Sequence, residues 1–221
     1  MHEPALTEAA DQAAGKIARA MEQDIAFGRL RPGQKLPEEE LSERFAASRH
    51  HVREALAQLQ QSGIVMRERN RGAFVRSFTP ADVLEIYEVR EILQRQAALR
   101  IPLPASEAAI TALQAIQTEH DAAVQAQDIQ HIHRSNDLFH AELFRLCGNG
   151  QLAQLVKHYM DLTYVIRADS FAEASSLELS RCHHQLMIEL LRGRDSWALA
   201  QLCVEHMQPS KERYLRALVH G

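Results

Sequence analysis

Long apolar runs, aromatic residues and closely spaced cysteines are all scarce in this chain of 221 residues. No uninterrupted run of about 18 apolar residues occurs, so the sequence predicts no membrane-spanning helix. The N-terminal MHEPALTEAADQAAG lacks the basic start and the apolar run of a signal peptide. Cys147, Cys182 and Cys203 are far apart and form no CxxC pair, so they predict no disulfide framework. We therefore expect a soluble protein of the reducing cytoplasm, with no membrane partner.

Aromatic residues make up only 5% of the chain although 46% of it is hydrophobic, which favours packed helices over sheets. The charge is unevenly distributed along the chain. Residues 16 to 77 hold 12 Lys and Arg against 8 Asp and Glu, whereas the whole chain has a formal net charge of -4. We expect two domains, of which the first is basic.

The first third of the chain has the apolar spacing of three successive helices. They are predicted at about 13–27, at 37–46 with Pro37 in its first turn, and at 48–63. Ser48 is a good N-cap for the third helix. The residues that should face inward on this helix are Val52, Ala55, Leu56 and Leu59.

Two short alternating segments follow the third helix. GIVMRER and GAFVRSF, joined by a turn at 70–72, predict a two-stranded hairpin with a basic tip. Residues 29–36, RLRPGQKL, are predicted to be a turn-rich link between the first two helices. Three helices and a hairpin are typical of a winged helix-turn-helix, which we assign to residues 10–78.

The remainder of the chain has only helical patterns, so the protein is expected to be mainly α. Thr79 and Pro80 begin a helix that should continue to about Arg100. Five more helices are predicted near 106–127, 129–147, 150–171, 176–192 and 195–218. Because short links join them, residues 79–221 are expected to form an all-α antiparallel six-helix bundle.

A helix-turn-helix presents the N-terminal residues of its second helix to the major groove of DNA. The candidates for DNA contact are Ser48, Arg49, His50, His51 and Arg53 on this helix, with Arg69 and Arg71 on the hairpin tip. His50 and His51 are about 100° apart around the helix and cannot both chelate one ion, so we expect them to touch DNA. The alternative is a solvated basic face without a partner.

Residues 16 to 77 resemble the winged-helix domain of the GntR superfamily of bacterial transcription regulators. The matching positions are Gly28, Leu30, Pro32-Gly33, Lys35-Leu36, Leu41, Ser48-Arg49, Val52-Arg53-Glu54-Ala55-Leu56, Leu59, Gly63-Ile64-Val65 and Gly72-x-Phe74-Val75. The resemblance implies that Arg49, Arg53 and the wing tip at Arg71 and Gly72 contact double-stranded operator DNA. The chain departs from the family at Ala46-Ala47, where Gly-Val is common, at His50-His51, where Thr-Pro is common, and at Glu40, where many members have arginine.

Several histidines of the second domain fall on apolar helical faces. His140 shares a face with Asn136, four residues earlier, and His184 and His206 lie on the apolar faces of the last two helices. Each alone is most simply a core histidine. Three on neighbouring helices favour a shared divalent cation, because buried imidazoles without partners are costly. Periodicity does not choose between His183 and His184.

Residues 79 to 218 resemble the FCD domain, the helical effector domain of the FadR-type branch of the GntR superfamily, in its six-helix form. The matching residues are Tyr87-x-x-Arg90-x-x-Leu93, Asn136-x-x-Phe139-His140, Asn149-x-x-Leu152, His184 and His206. The resemblance implies that Asn136, His140, His184 and His206 hold a divalent metal such as zinc or nickel. Asp137, rotated around the helix from Asn136, is the poorer candidate.

Arg90 matches the arginine of the FCD pattern and is the candidate for binding a carboxylate effector. The alternative is a buried arginine bonded to helix ends or to Glu88 or Glu91. The combined resemblance implies a repressor whose operator affinity is controlled by a small organic acid or related metabolite. We expect a homodimer, because one recognition helix offers too few contacts for specific binding. The alternative function is a metal-dependent hydrolase or lyase that uses the histidine cluster, but no acid or base motif accompanies the cluster.

Overall fold

The computed structural model describes the backbone of residues 3–220 and the side chains of 13–168, 170–171, 173–218. The chain divides into two compact units. The first extends to Phe78 and also includes Asp161–Ala168, and the second consists of Thr79–Met160 and the chain from Asp169 onward. None of the helices in the described part of the chain is long and apolar enough to cross a membrane.

Three helices form the body of the first unit: α1 (Glu3–Ala26), α2 (Glu38–Arg44) and α3 (Arg49–Gln61). Helix α3 begins after Ser48, whose hydroxyl accepts a hydrogen bond from the His51 N–H at 3.3 Å. The four residues predicted to face inward on α3 are all buried. The side of α3 that bears Arg49 and Arg53 is therefore left at the surface.

Two helix starts differ from the predictions. Helix α1 begins at Glu3 rather than near residue 13, because the preceding Ala- and Glu-rich residues extend a helix whose apolar periodicity starts later. Pro37 is the N-cap of α2, with extended backbone (φ -66°, ψ 125°), rather than its first helical residue.

The wing is an antiparallel pair of β1 (Val65–Glu68) and β2 (Gly72–Val75), with Met66 opposite Phe74 and Glu68 opposite Gly72. Gly72 has a φ of +97°, a conformation that glycine adopts without strain. The other edge of β2 is also paired: the Val75 N–H donates to the Gln34 carbonyl at 2.9 Å. The link at 29–36 was predicted as turns alone, and its last residues instead lie along β2.

Six long helices form the second unit: α4 (Pro80–Leu99), α5 (Glu107–Gln125), α6 (Ile129–Arg145), α7 (Gly150–Leu162), α9 (Ala174–Arg192) and α10 (Ser196–His220). Thr79 and Asp82 form a reciprocal capping box at the start of α4. Helix α10 contacts α4 and α9, and α5 contacts α6 and α9. The mainly α fold, with an N-terminal winged helix-turn-helix and a C-terminal helical bundle, is confirmed.

The prediction of one continuous helix at 150–171 is wrong. Helix α7 ends at Leu162, the short helix α8 (Tyr164–Ala168) follows, and Asp169–Ala172 form a 3-10 turn. All residues from Thr163 to Ala168 are buried, so this segment has no single apolar face from which its boundaries could be read. In the first unit α8 contacts α1, and the Asp161 carbonyl lies close to Gly63.

Candidate nucleic-acid interface and metal centre

Arg49 and Arg53 lie one turn apart on the exposed side of α3, with 62% and 61% of their side chains accessible. Both are held by carboxylates from the first turn of α2. Arg49 Nη2 lies 2.8 Å from Glu39 Oε1, and Arg53 Nε lies 2.6 Å from Glu38 Oε2. These carboxylates therefore compete with a phosphate or a base for the two guanidinium groups.

The two adjacent histidines of α3 have different surroundings. His50 is exposed, and its Nε2 lies 3.3 Å from Glu54 Oε1, one turn further along α3. His51 is half-buried and lines an open groove of about 440 Å³ together with Lys16 and Ser48. Lys16, which no motif of the sequence singles out, therefore adds a positive charge beside the N-terminus of α3.

The wing tip carries exposed basic side chains at Arg69 and Arg71. Arg71 forms an ion pair with Glu68, and its guanidinium lies 5.3 Å from the centre of the Phe74 ring. Lys35 and Arg67 line a second groove, of about 310 Å³, beside Gly72. These two cations were also missed, because the sequence pattern does not show that the link before α2 lies against β2.

Ala46, between α2 and α3, has a φ of +46°, in the left-handed region that an alanine side chain disfavours. The turn of the helix-turn-helix thus has a conformation that suits glycine. The turn is retained with alanine at a cost in backbone strain.

In the second unit α6, α9 and α10 bring His140, His184 and His206 together. Their ligand nitrogens lie within 4.8 Å of one another, which suits a shared metal ion. His140 Nε2 is 3.0 Å from His206 Nε2 and 3.3 Å from His184 Nε2. A single proton on His140 Nε2 cannot serve both neighbours, whereas a divalent cation would be attracted by all three lone pairs.

A chain of hydrogen bonds behind His184 fixes its orientation. Gln117 Oε1 accepts from His184 Nδ1 at 2.9 Å, and Gln117 Nε2 donates to Asp121 Oδ1 at 2.7 Å. Arg181 Nε also donates to Asp121 Oδ1, at 2.7 Å. Because an amide oxygen can only accept, the proton of neutral His184 is on Nδ1 and the lone pair of its Nε2 faces His140.

Burial, with a smaller contribution from repulsion by His206 and His140, lowers the pKa of His184 well below its usual value. The imidazole is therefore neutral at pH 7, as a metal ligand must be. His183, the neighbouring residue on α9, is only half-buried and is not part of the cluster. Of the two histidines between which periodicity does not choose, His184 is the one that lies with His140 and His206.

Asn136 is 5% exposed and lies on α6 one turn before His140. Its amide nitrogen donates to Asp137 Oδ1 at 3.4 Å. The Asp137 carboxylate itself lies 3.0 Å from His133 Nε2. Asp137 therefore has partners on its own helix, and it is not part of the group formed by the three histidines.

Another buried histidine, His120 on α5, was not singled out from the sequence. It is 1% exposed, and burial lowers its pKa. Its ring centre lies 5.4 Å from that of His184, and its Nδ1 lies 2.9 Å from Ser135 Oγ. Its spacing from Leu113 and Gln117 on the buried face of α5 was the available signal.

Arg90 is buried at 3% exposure on α4, and its guanidinium carbon lies 4.8 Å from the centre of the Tyr87 ring. Glu91, which the sequence offered as a partner for Arg90, lies near two other residues. Its Oε1 is 3.5 Å from Lys211 Nζ and 3.0 Å from Gln208 Nε2. The burial of Arg90 agrees with the inward position expected from the sequence.

Comparisons with known proteins agree with both units. The family "Bacterial regulatory proteins, gntR family" matches residues 13–75, and the FCD domain matches residues 85–209. The chain is 27% identical to "Uncharacterized HTH-type transcriptional regulator YdhC" of Bacillus subtilis, over 89% of this chain and 88% of that protein. It is 26% identical to "HTH-type transcriptional repressor RspR" of Escherichia coli, over 89% and 86% respectively.

Solved structures show the same fold. The structure titled "E. coli McbR/YncC" has a TM-score of 0.66 at 18% identity and covers 93% of this chain and 98% of its own. A putative GntR regulator from Rhodococcus sp. RHA1 has a TM-score of 0.65 at 21% identity, with coverage of 92% and 98%.

These matches do not favour the hydrolase or lyase alternative, since the relatives are regulators and not enzymes. Members of the family bind operator DNA and small-molecule effectors, and FCD domains commonly bind metal. The chain belongs to the GntR family of bacterial transcription regulators, in the group whose second domain is an FCD domain.

Proposed function

We propose that this regulator is a homodimeric repressor that is released from its operator by a small carboxylate effector. The observation that carries the proposal is the convergence of His140, His184 and His206 in the domain that follows a DNA-reading winged helix. One recognition helix offers few base contacts, so two copies on paired half-sites are needed for specific binding. A bacterial regulator that binds operator DNA acts in the cytoplasm, which is the location proposed for this protein.

Operator reading is assigned to the exposed N-terminus of α3 and to the wing. The residues are Ser48, Arg49, His50, His51, Arg53, Arg69, Arg71 and Gly72. Arginine can bond a guanine edge or a phosphate through two nitrogens. Arg49→Ala should weaken operator binding by about 1 to 3 kcal/mol. Arg100→Ala, which removes an exposed arginine of the second unit, is the charge-matched control in fluorescence anisotropy, and equal affinities for both variants would contradict the assignment.

The metal centre is assigned to Asn136, His140, His184 and His206, with zinc or nickel as the ion. Imidazole nitrogens suit both metals, and the amide oxygen of Asn136 is a weaker ligand than a carboxylate. When bound, the ion would supply a Lewis acid that attracts an anionic effector. His140→Ala should abolish metal binding while the helical content is kept, and elemental analysis of the purified wild-type protein should detect the ion.

The effector is proposed to be a small organic acid or related metabolite, with its carboxylate near the metal centre and Arg90 binding its anionic groups. A buried guanidinium binds a carboxylate strongly because both hydrogen bonds are charge-assisted. Effector binding favours an arrangement of the dimer that fits the half-sites less well, which is a population shift. A thermal-shift screen of small acids with and without zinc tests this, because a ligand of the folded state raises the Tm. An increase that does not depend on zinc would contradict the role of the ion.

A further inference from the structure

His120 lies beside the three clustered histidines but does not belong to their ligand set. It is 1% exposed on α5, and its ring centre is 5.4 Å from that of His184. The nitrogens that lie within 4.8 Å of one another come from His140, His184 and His206. His120 therefore borders the metal centre without being placed to share its ion.

Ser135 determines which nitrogen of His120 carries the proton. Ser135 Oγ lies 2.6 Å from the His131 carbonyl and 3.1 Å from the Ile132 carbonyl, both of which can only accept its single hydrogen, and 2.9 Å from His120 Nδ1. A hydroxyl that has donated its hydrogen can only accept from the imidazole. The Nδ1–H of His120 is thus the donor, and Nε2 of the neutral ring is left as an acceptor.

The Nε2 atom of His120 is closed off from solvent and has no hydrogen-bond partner in the described part of the chain. Most buried polar atoms are satisfied, and an acceptor without a donor is costly. The other nitrogen of the ring is held by α6, so the ring cannot turn to satisfy Nε2 without breaking the Ser135 contact. A bound molecule with a donor group would satisfy it.

We propose that His120 Nε2 accepts a hydrogen bond from a hydroxyl group of the effector, which is therefore a hydroxy acid. This inference rests on the proposed function, in which the effector carboxylate lies near the neighbouring metal centre. A neutral hydroxyl suits the site better than an ammonium group, because a divalent cation and the Arg90 guanidinium would repel a third positive charge. His120 is then a specificity residue and not a metal ligand.

The test uses zinc-loaded full-length protein and pairs of acids that differ by one hydroxyl: lactate with propionate and malate with succinate, with alanine as the ammonium analogue. Dissociation constants come from isothermal titration calorimetry. For at least one pair the hydroxy acid should bind about 5- to 150-fold more tightly, as expected for one buried hydrogen bond. Alanine should bind more weakly than lactate.

Two substitutions distinguish the roles of the two ring nitrogens of His120. His120→Asn keeps an amide where Nδ1 bonds Ser135 and has no atom at the Nε2 position, so the preference for the hydroxy acid should disappear. His120→Gln offers an amide oxygen near the Nε2 position and should restore part of the preference. Zinc stoichiometry should stay unchanged in both variants. Long-range proton–nitrogen NMR spectra of the effector-free protein should place the proton of His120 on Nδ1.

Three results would overturn the inference. If acids bind but no pair differs, or if the preference survives in His120→Asn, the hydroxyl contact is absent while the proposed carboxylate site stands. If the NMR spectra place the proton on Nε2 of His120, this atom cannot accept a hydrogen bond from the effector hydroxyl. If none of the acids binds to the zinc-loaded protein, the proposed effector function fails and this inference fails with it.

Discussion

The hydrogen bond behind His184 allows the metal centre to be tested without removing a ligand. Gln117 Oε1 accepts from His184 Nδ1 at 2.9 Å and so directs Nε2 towards His140. Gln117→Met keeps the length of the side chain but removes the acceptor. Loss of such an outer hydrogen bond typically lowers metal affinity about 10- to 100-fold, or about 1.4 to 2.8 kcal/mol.

Zinc affinity should be measured by competition with a chromophoric chelator. Gln114→Met is the matched control, because Gln114 is an exposed glutamine one turn earlier on α5. We expect the dissociation constant to rise 10- to 100-fold for Gln117→Met and to stay unchanged for Gln114→Met. Wild-type affinity in a Gln117→Met protein with normal helical content would refute the orienting role of Gln117.

Glu39→Gln should raise the affinity for a scrambled DNA duplex severalfold at low salt, because it releases Arg49 and removes a negative charge near phosphate. Fluorescence anisotropy is the measurement, and Glu119→Gln is the control. Weaker binding by Glu39→Gln would contradict the idea that Glu39 competes with DNA for Arg49. Ala46→Gly should raise the free energy of unfolding by roughly 0.5 to 1 kcal/mol in urea, because glycine relieves the positive φ. Ala47→Gly should lower it, and destabilisation by Ala46→Gly would show that the turn is unstrained. EDTA should lower the Tm of the zinc-loaded protein, since the ion binds the folded state; an unchanged Tm would argue against the site.

The DNA-reading unit could be predicted in detail because its local signals agree with its tertiary structure. The buried stripe of α3 and the cap at Ser48 follow from spacing and residue type. The strained turn at Ala46 could not be derived in this way, because a φ value is set by the packing of α2 against α3. Likewise, the pairing of Gln34 with Val75 depends on contacts between segments that no local pattern reports.

In the helical unit too, the sequence predicts which polar residues are buried but not which of them come together in space. Helical spacing placed Asn136, His140 and His184 on apolar faces, and all three are buried. His120 has the same spacing on α5 and was missed, since periodicity alone does not show which buried histidines meet in space. The break after α7 was missed because a segment buried on all sides has no amphipathic period.

One experiment can test both operator binding and its proposed control through the helical domain. The most direct measurement is fluorescence anisotropy with the DNA upstream of its gene, against a scrambled duplex of equal length, at fixed salt. We expect tight binding to the upstream DNA, with an affinity at least about 1000-fold above that for the scrambled duplex, and a loss of that binding when zinc and an effector acid are added. Equal, salt-sensitive binding to both duplexes would contradict it.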